Sequence, residues 1–581
     1  MNILVIGGGI SGVSAAKVAL QEGNTVTILE SAQELGGTMA RIANCRIGFK
    51  TFLDEIIDNP LLKIIREGVI RTVNRDHDGS FIVTLEDGGS IPADRIVVAA
   101  GLEPFDPIEY RGKRVLTSLE YDSLIDQRKG ELPDDFDKVA FVLCVGSRSK
   151  EYPLCSSVCC SYTLREVKWT LQRAKPELTV FYNDLRFFGQ EFYLEQLYRD
   201  AGVRFIRANS RYFEEDETGV TVRYFAGDEV KEERFNYVVL AVGLRPSVQL
   251  ETLSRILGFA LNKYGFVAER EPLTTTVEGI FVSGGALEPM NIKDSILTGF
   301  GAGLLALRGN DFPSEILRKR DALRKEDVPL VTEPEGEYTS CLFYLGSDNP
   351  PERLFYEFMS GVFTHLAREM NRSGKTVYVV TRNMVMPSYA ELKYEEARKE
   401  GVNFVHLEET DRIELDERSV TITGMTKDVT FNVDRIVRFE DYRHLFTDKE
   451  FLSLYRSEPQ LRWSPTKWSR KRYHVGFIRH PREERWEPRE ILGALGEMLL
   501  DTAEERLLPE VNEERCSGCG SCKDACPHTA IEIVFKETPL AIFGPQTVSA
   551  VPIAHVKQDT CVGCGLCTST CPSDSIAYPE K

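Results

Sequence analysis

Residues 2–30 read NILVIGGGISGVSAAKVALQEGNTVTILE: an apolar strand, a glycine turn, a helix and a second strand. Gly7, Gly9 and Gly12 make up a GxGxxG set. In this pattern Gly7 permits the tight turn, Gly9 lets backbone approach a pyrophosphate, and Gly12 allows close helix–strand packing. The helix N-terminus, with its unpaired N–H groups and dipole, favours the anion. Glu30 closes the second strand about twenty residues on, where an acid meets a ribose hydroxyl. A tight turn with no ligand is the competing reading. Strand, helix and acid all in place favour a dinucleotide.

At 581 residues the chain is long enough for several domains. Its formal charge of −18 argues against nucleic acid and anionic membranes as partners. No apolar window of about eighteen residues suggests a bilayer span. The opening strand does not resemble a signal peptide, so a cytoplasmic location is expected. There, fourteen cysteines are better read as metal ligands or redox groups than as disulfides.

Further segments extend the first motif: GGTMA (36–40), ADRIVVAAGLEP (93–104), FNYVVLAVGLRP (235–246), TTTVEGIFVSGGALEP (274–289) and NIKDSILTGFGAGLLAL (291–307). Together they resemble the FAD domain of the thioredoxin reductase and pyridine nucleotide-disulfide oxidoreductase superfamily. The resemblance implies FAD, with Gly36, Gly37, Gly101, Gly285 and Asp294 joining Gly7, Gly9, Gly12 and Glu30 at the cofactor. It places the pyrophosphate side near the helix starting about Asp294. Where that superfamily has Gly-Asp, with the Asp on the ribityl chain, this chain has Gly284-Gly285.

Residues 136–235 read as a smaller α/β insert. In the superfamily this insert binds a nicotinamide nucleotide through a second glycine motif, and here that motif is missing. The turn is instead CVGSRSKEYPLCSSVCC (144–160). Cys144, Cys155, Cys159 and Cys160 admit three readings. They can hold a [4Fe–4S] cluster, form a dithiol/disulfide pair, or pack as small buried hydrophobes. A helix N-terminus favours the thiolates that ligation needs. The segments at 144–162, 178–193, 201–208 and 238–247 are similar to the flavin-carrying A subunits of heterodisulfide reductase and their relatives. That resemblance implies a cluster on Cys144, Cys155, Cys159 and Cys160. The inserted ferredoxin cysteines of the methanogen type are missing. A lone Cys45 is read as a packed thiol near the flavin. Pro289-Met290-Asn291-Ile292-Lys293 departs from the pattern of bifurcating relatives and puts bifurcation in doubt.

A second copy of the insert follows at an offset near two hundred residues. VAFVLCVGS (139–147) answers to SCLFYLGS (340–347), LTVFYN (178–183) to KTVYVVTRN (375–383), and DAGVRFI (200–206) to KEGVNFV (399–405). Tyr344 stands where the first copy has Cys144, so the copy is expected to keep its scaffold without the cofactor, as support or docking surface. Residues 462–485 carry eight Arg/Lys against two Glu, with Trp463, Trp468 and Tyr473 between them. They read as a docking site for an acidic redox partner or as a solvated basic loop.

CSGCGSCKDACP (516–527) and CVGCGLCTSTCP (561–572) each read C-x2-C-x2-C-x3-C-P, the bacterial two-cluster pattern. Cys516, Cys519 and Cys522 take Cys571 as fourth ligand, and Cys561, Cys564 and Cys567 take Cys526. Zinc prefers a single four-cysteine site, which this doubled spacing disfavours.

The expected fold is α/β: a Rossmann-like flavoprotein with two dinucleotide-binding-type domains, a duplicated α/β domain and an α+β bacterial-type ferredoxin domain. Its expected parts are the FAD domain (1–135 and 236–310), the cysteine-bearing insert (136–235), a linker (311–336), the degenerate copy (337–509) and the ferredoxin (510–581). FAD and three [4Fe–4S] clusters would make an electron-transfer subunit of a heterodisulfide-reductase-like complex. Its expected partners are other redox subunits, of the heterodisulfide reductase B or C kind or of hydrogenase or dehydrogenase kind, or ferredoxin, in a hetero-oligomer. One rival is a free-standing disulfide reductase, driven by a pyridine nucleotide or ferredoxin, using Cys155 and Cys159. The other is a scaffold without catalysis.

Overall fold

The computed structural model describes the chain apart from residues 129–131, 174–175, 188–190, 209–210, 227–228, 324–332, 347–355, 409, 425–427, 446–466, 470–471, 474–485, 501–507, 514, 527–529, 540–547, 558–560, 562–566, 569–570, 572, 574 and 579–581. The basic stretch 462–485 lies outside the described residues except for 467–469 and 472–473.

Strand Asn2–Ile6 is apolar on both faces and sits centrally in a five-stranded sheet. The order is Ile280–Val282, Arg95–Val98, Asn2–Ile6, Thr25–Leu29, Leu62–Ile65, all parallel. Such strands need cover on both sides, which explains their unbroken Val/Ile/Leu runs. Helix Ile10–Gln21 supplies part of that cover and packs on helix Ile292–Arg308. Gly299 and Gly303 permit the approach: a Cβ on either would stand within 2.6 Å of a backbone oxygen of the first helix.

Helix Trp486–Leu499 follows the second repeat in sequence but packs on helix Ile292–Arg308. Its Arg489 is buried and pairs with Glu269 and, at 2.9 Å, with Glu288. Residues 312–323, read from sequence within a linker, form a helix. Pro313 falls in its first turn, where the missing N–H costs nothing, and Glu315 favours the N-terminal dipole. Charge and proline signalled a linker there, but both suit a helix start.

A second parallel sheet runs Arg204–Arg207, Glu177–Tyr182, Lys138–Val145, Tyr237–Val242, Val115–Thr117. The antiparallel strands Arg211–Glu215, Val220–Ala226 and Glu229–Phe235 follow its first edge. The same plan recurs later in the chain. Asn403–His406, Thr376–Thr381, Ser340–Leu345 and Arg435–Arg438 have the same order, with a three-stranded antiparallel sheet Arg412–Leu415, Ser419–Thr423, Val429–Asn432. Both sheets contribute to one apolar core, which runs from Phe141 and Val180 to Phe343 and Val379. The two units therefore face each other, and whatever lies at the end of the first sheet meets the second.

Candidate functional site

A cavity of about 970 Å³ opens above the ends of the first sheet. That is at the upper end for a small-molecule or cofactor site. Gly7, Gly9, Glu30, Gly36, Gly37 and Gly101 all line it, as do Gly285 and Asp294. A Cβ on Gly9 or Gly101 would meet no atom within 4 Å, so both leave bare backbone open toward the cavity. Gly12 acts by packing: its Cβ would lie 2.0 Å from the Gly7 carbonyl oxygen. These residues fit a dinucleotide lying across the helix N-terminus.

Glu30 has a structural task of its own. Its Oε2 accepts the Gly8 N–H at 2.8 Å and its Oε1 accepts the Ala32 N–H at 2.9 Å. The acid thus holds the glycine turn in shape, with lone pairs still available to a hydroxyl. Asp294 is buried in the first turn of helix Ile292–Arg308, its N–H accepted by the Asn291 Oδ1 cap at 3.0 Å. At Gly285 a Cβ would stand 2.3 Å from Leu102, which explains the missing Asp: a leucine side chain fills that space.

Val158, Cys159, Tyr162 and Arg165 line the same cavity, so the cysteine loop forms one of its walls. Cys45 lies there too, half-buried, and accepts a hydrogen bond from Arg165 Nη1 at 3.2 Å. Arg165 in turn lies over the Tyr162 and Trp169 rings. The sequence marked Cys45 as packed but gave no sign of its arginine partner, 120 residues away.

The loop brings Cys144, Cys155, Cys159 and Cys160 together by local distortion. Pairing of Lys138–Val145 with Tyr237–Val242 slips between Val142 and Val145, a bulge at Cys144. Cys144, Arg148 and Ser157 all have positive φ, as does Ser388 in the second repeat. Non-glycine residues hold that conformation only where the surroundings enforce it. Cys159 and Cys160 open helix Cys159–Arg173. All four thiols are buried. That of Cys159 interacts with those of Cys144, Cys160 and Cys155. The Cys144 contact lowers its proton affinity, but Cys160 and burial push it up to about 12. The Arg186 N–H donates to Cys160 Sγ at 3.5 Å. Among the described residues no three His, Cys, Asp or Glu are arranged for a single metal ion. A cluster takes its thiolates on separate irons and asks for a different spacing.

Around this loop lies a buried charged network that sequence reading missed. Arg148 reaches Asp184 at 2.7 Å and Glu391 at 3.0 Å. Arg186 joins the same two carboxylates, and Arg207 and His406 stand 3.3 and 3.4 Å from Asp184. Burial alone would raise the Asp184 pKa, but Arg148, His406, Arg186 and Arg207 hold it well below the usual carboxylate range.

Behind the cavity wall, Glu166 is buried and accepts the Ser118 hydroxyl at 3.0 Å. Burial drives its pKa well above the ordinary carboxyl value, with Ser118 and Arg165 opposing and Asp122 adding to the rise. Because the folded pKa is raised, the stability it contributes is full below the unfolded value of about 4.3 and is lost as pH rises through the folded one. Glu166→Gln should therefore match the parent's thermal midpoint near about pH 4 and exceed it increasingly toward about pH 8. Thermal melts across that range test this.

In the C-terminal region Cys516, Cys519, Cys522 and Cys571 line one pocket. The Ala554 N–H donates to Cys516 Sγ and the Ala530 N–H to Cys526 Sγ, both at 3.3 Å. The Ser521 hydroxyl and backbone lower the Cys519 pKa. Burial opposes the same shift at Cys571, and the Ser575 and Ser573 hydroxyls outweigh it. Hydrogen bonds to sulfur favour the thiolate, the form that binds iron. Cys561 and Cys567 are buried in the same core. Cys564 lies outside the described residues. The Lys168 ammonium, on helix Cys159–Arg173, donates to the Thr568 carbonyl at 3.4 Å, which places this region against the helix that begins at Cys159.

Residues 1–118 match the pyridine nucleotide-disulphide oxidoreductase family, and residues 515–575 match the 4Fe-4S dicluster domain. The A subunit of the H(2):CoB-CoM heterodisulfide,ferredoxin reductase of Methanothermobacter marburgensis is 33% identical over 245 residues, 37% of this chain and 37% of that one. Over about a third of its length the chain is similar to an A subunit of heterodisulfide reductase, and its C-terminal region matches a two-cluster domain. An iron-sulfur A subunit of the CoB--CoM heterodisulfide reductase of Methanopyrus kandleri is 26% identical over 427 residues, 52% of this chain and 63% of its own. The similarity thus spans less than two thirds of these relatives' length. A Lactococcus lactis thioredoxin reductase aligns with 53% of this chain and 98% of its own, at 18% identity and a TM-score of 0.41. The chain is α/β with parallel sheets, its N-terminal region matching the pyridine nucleotide-disulphide oxidoreductase family and its C-terminal region a 4Fe-4S dicluster domain. Among the described residues no helix is long and apolar enough to cross a membrane.

Proposed function

We propose that the chain is the FAD and iron–sulfur electron-transfer subunit of a cytoplasmic heterodisulfide-reductase-like complex, with terminal substrate chemistry on partner redox subunits. One observation carries this reading. The end of the cysteine loop, Val158 and Cys159, lines one side of the dinucleotide cavity, and the Cys159 thiol lies among those of Cys144, Cys155 and Cys160. These four would hold a third [4Fe–4S] cluster. Cys516, Cys519, Cys522 and Cys571 would hold one ferredoxin cluster, and Cys526, Cys561, Cys564 and Cys567 the other. With these groups bound, the flavin supplies paired-electron chemistry and the clusters single-electron transfer.

The chain's own residues then order the three sites. Gly7, Gly9 and the helix at Ile10 would seat the pyrophosphate, and Glu30 and Asp294 add carboxylates to the cavity's lining. The buried loop keeps water from the four thiols. Lys168 seats the ferredoxin region on the helix that begins with Cys159 and Cys160. The Cys159 thiol lies among those of Cys144, Cys160 and Cys155 together, which favours a four-thiol group over a Cys155/Cys159 redox pair. No GxGxxG stands in the second sheet's first turn, so a nicotinamide donor is not expected there. The test is anaerobic reduction of the purified chain. A reduced viologen should bleach the flavin absorbance, and NADH alone should not. Rapid bleaching by NADH would overturn the reading.

A further inference from the structure

The second repeat has lost the cysteines of the first, yet beside the shared core it also touches the cysteine loop directly. The Cys155 N–H donates to the Ser388 carbonyl at 3.4 Å, and Ser388 is held at φ 48°. Tyr152 and Leu154 of the loop share a small apolar cluster with Tyr389 and Leu392. Arg186 is 2% exposed. Its Nε donates to the Met384 carbonyl at 3.1 Å and its Nη1 to that of Met386, both in the second repeat. Leu185 N–H donates to Asn383 Oδ1 at 3.0 Å.

The charges at this contact do not balance. Three guanidinium groups, Arg148, Arg186 and Arg207, face two buried carboxylates, Asp184 and Glu391. The excess is one positive charge, or two when His406 is protonated. Glu408 adds a carboxylate 3.4 Å from Arg207, but it is 55% exposed and screened by solvent. Arg148 feels the Cys144 and Cys155 thiols, and Arg186 that of Cys155. Inside a protein such charges are poorly screened and act strongly on a neighbouring group whose own charge changes. Glu391 is the buried carboxylate that the second repeat brings to the network, Glu408 being largely exposed. It belongs to helix Ala390–Lys399, paired at once to Arg148 and Arg186.

We propose that the second repeat is a potential-setting wall for the cysteine pocket, and that Glu391 is its positioning residue: through Arg148 and Arg186 it fixes how much positive charge faces the group held by Cys144, Cys155, Cys159 and Cys160. This rests on the reading of those cysteines as cluster ligands. Reduction adds an electron to that group, so nearby positive charge favours the reduced state and raises the midpoint. Removing the Glu391 charge leaves the two guanidinium groups less neutralised.

The experiment is a redox titration followed by electron paramagnetic resonance on the anaerobically purified full chain carrying Glu391→Gln, with iron counted beside it. The midpoint of one cluster signal should rise while the two ferredoxin signals stay in place. Arg148→Gln should move the same midpoint down, and Arg148→Lys should hold it near the parent value. An iron content retained with an unmoved midpoint in both charge-changing variants overturns the proposal and leaves Glu391 a purely structural residue. Loss of four irons from Glu391→Gln and from Arg148→Lys alike overturns it in the same way. About eight irons in the unaltered chain would instead overturn the cluster reading beneath it.

Discussion

Replacing Cys159 with alanine is expected to lower the iron of the anaerobically purified chain from about twelve atoms to about eight, with FAD retained. Cys159 is the thiol on which the pocket converges, in contact with Cys144 and Cys160 and lining the flavin cavity. On the proposed cluster reading, alanine takes away one ligand of four and leaves three buried thiols. The ferredoxin cysteines lie in their own core, which contains none of the loop's residues, so their eight irons should stay. The cofactor cavity should stay as well, since its phosphate end is built from the glycine turn and helix Ile10–Gln21. Cys341 is the control. It is fully buried on the matching strand of the second repeat, where burial pushes its pKa up to about 12. Cys341→Ala should leave iron near twelve atoms. Iron analysis beside a flavin spectrum reads both variants.

The opposite pattern is expected from Gly12→Val: FAD is lost and ferredoxin iron remains. A Cβ at this position would stand 2.0 Å from the Gly7 carbonyl oxygen and 3.2 Å from Val5. The turn and the helix cannot separate without moving the N–H groups that face the pyrophosphate. Overpacking of this kind costs about 1–3 kcal/mol. If it falls wholly on the binding-competent turn, FAD binding weakens by about fivefold to about 150-fold. Flavin released on denaturation, measured against iron, reports it. Normal flavin content in this variant would mean that the cavity is not where the dinucleotide lies.

Residues 2–30 made the first sheet legible because each glycine has a local task that neighbouring residues reveal. The ferredoxin ligands were legible for the same reason: spacing along the chain dictates them. The repeat was legible as an offset of about two hundred residues, and both copies have the same strand order. What the sequence hid depends on how those copies meet. Glu391 is one of several acids in AELKYEEARK, and nothing local sets it apart from Glu395 or Glu396. Only packing makes it buried and doubly paired. Asp184 and Arg186 sit in a segment whose resemblance to relatives was visible, while their partners lie some two hundred residues away. The bulge at Cys144 was hidden too, since an apolar strand does not announce where its register slips. Helix Phe312–Leu323 was obscured by charge and proline.

The central claim is that flavin and clusters communicate within one chain. It is tested by mixing the oxidised, fully loaded protein anaerobically with less than one equivalent of a one-electron donor. Flavin absorbance and cluster resonance are then followed in the same quenched samples at several protein concentrations. The account predicts that, once the donor is consumed, electrons redistribute between flavin and clusters at a rate independent of protein concentration. Clusters that stay reduced while the flavin stays oxidised, or a redistribution whose rate rises with protein concentration, would contradict it.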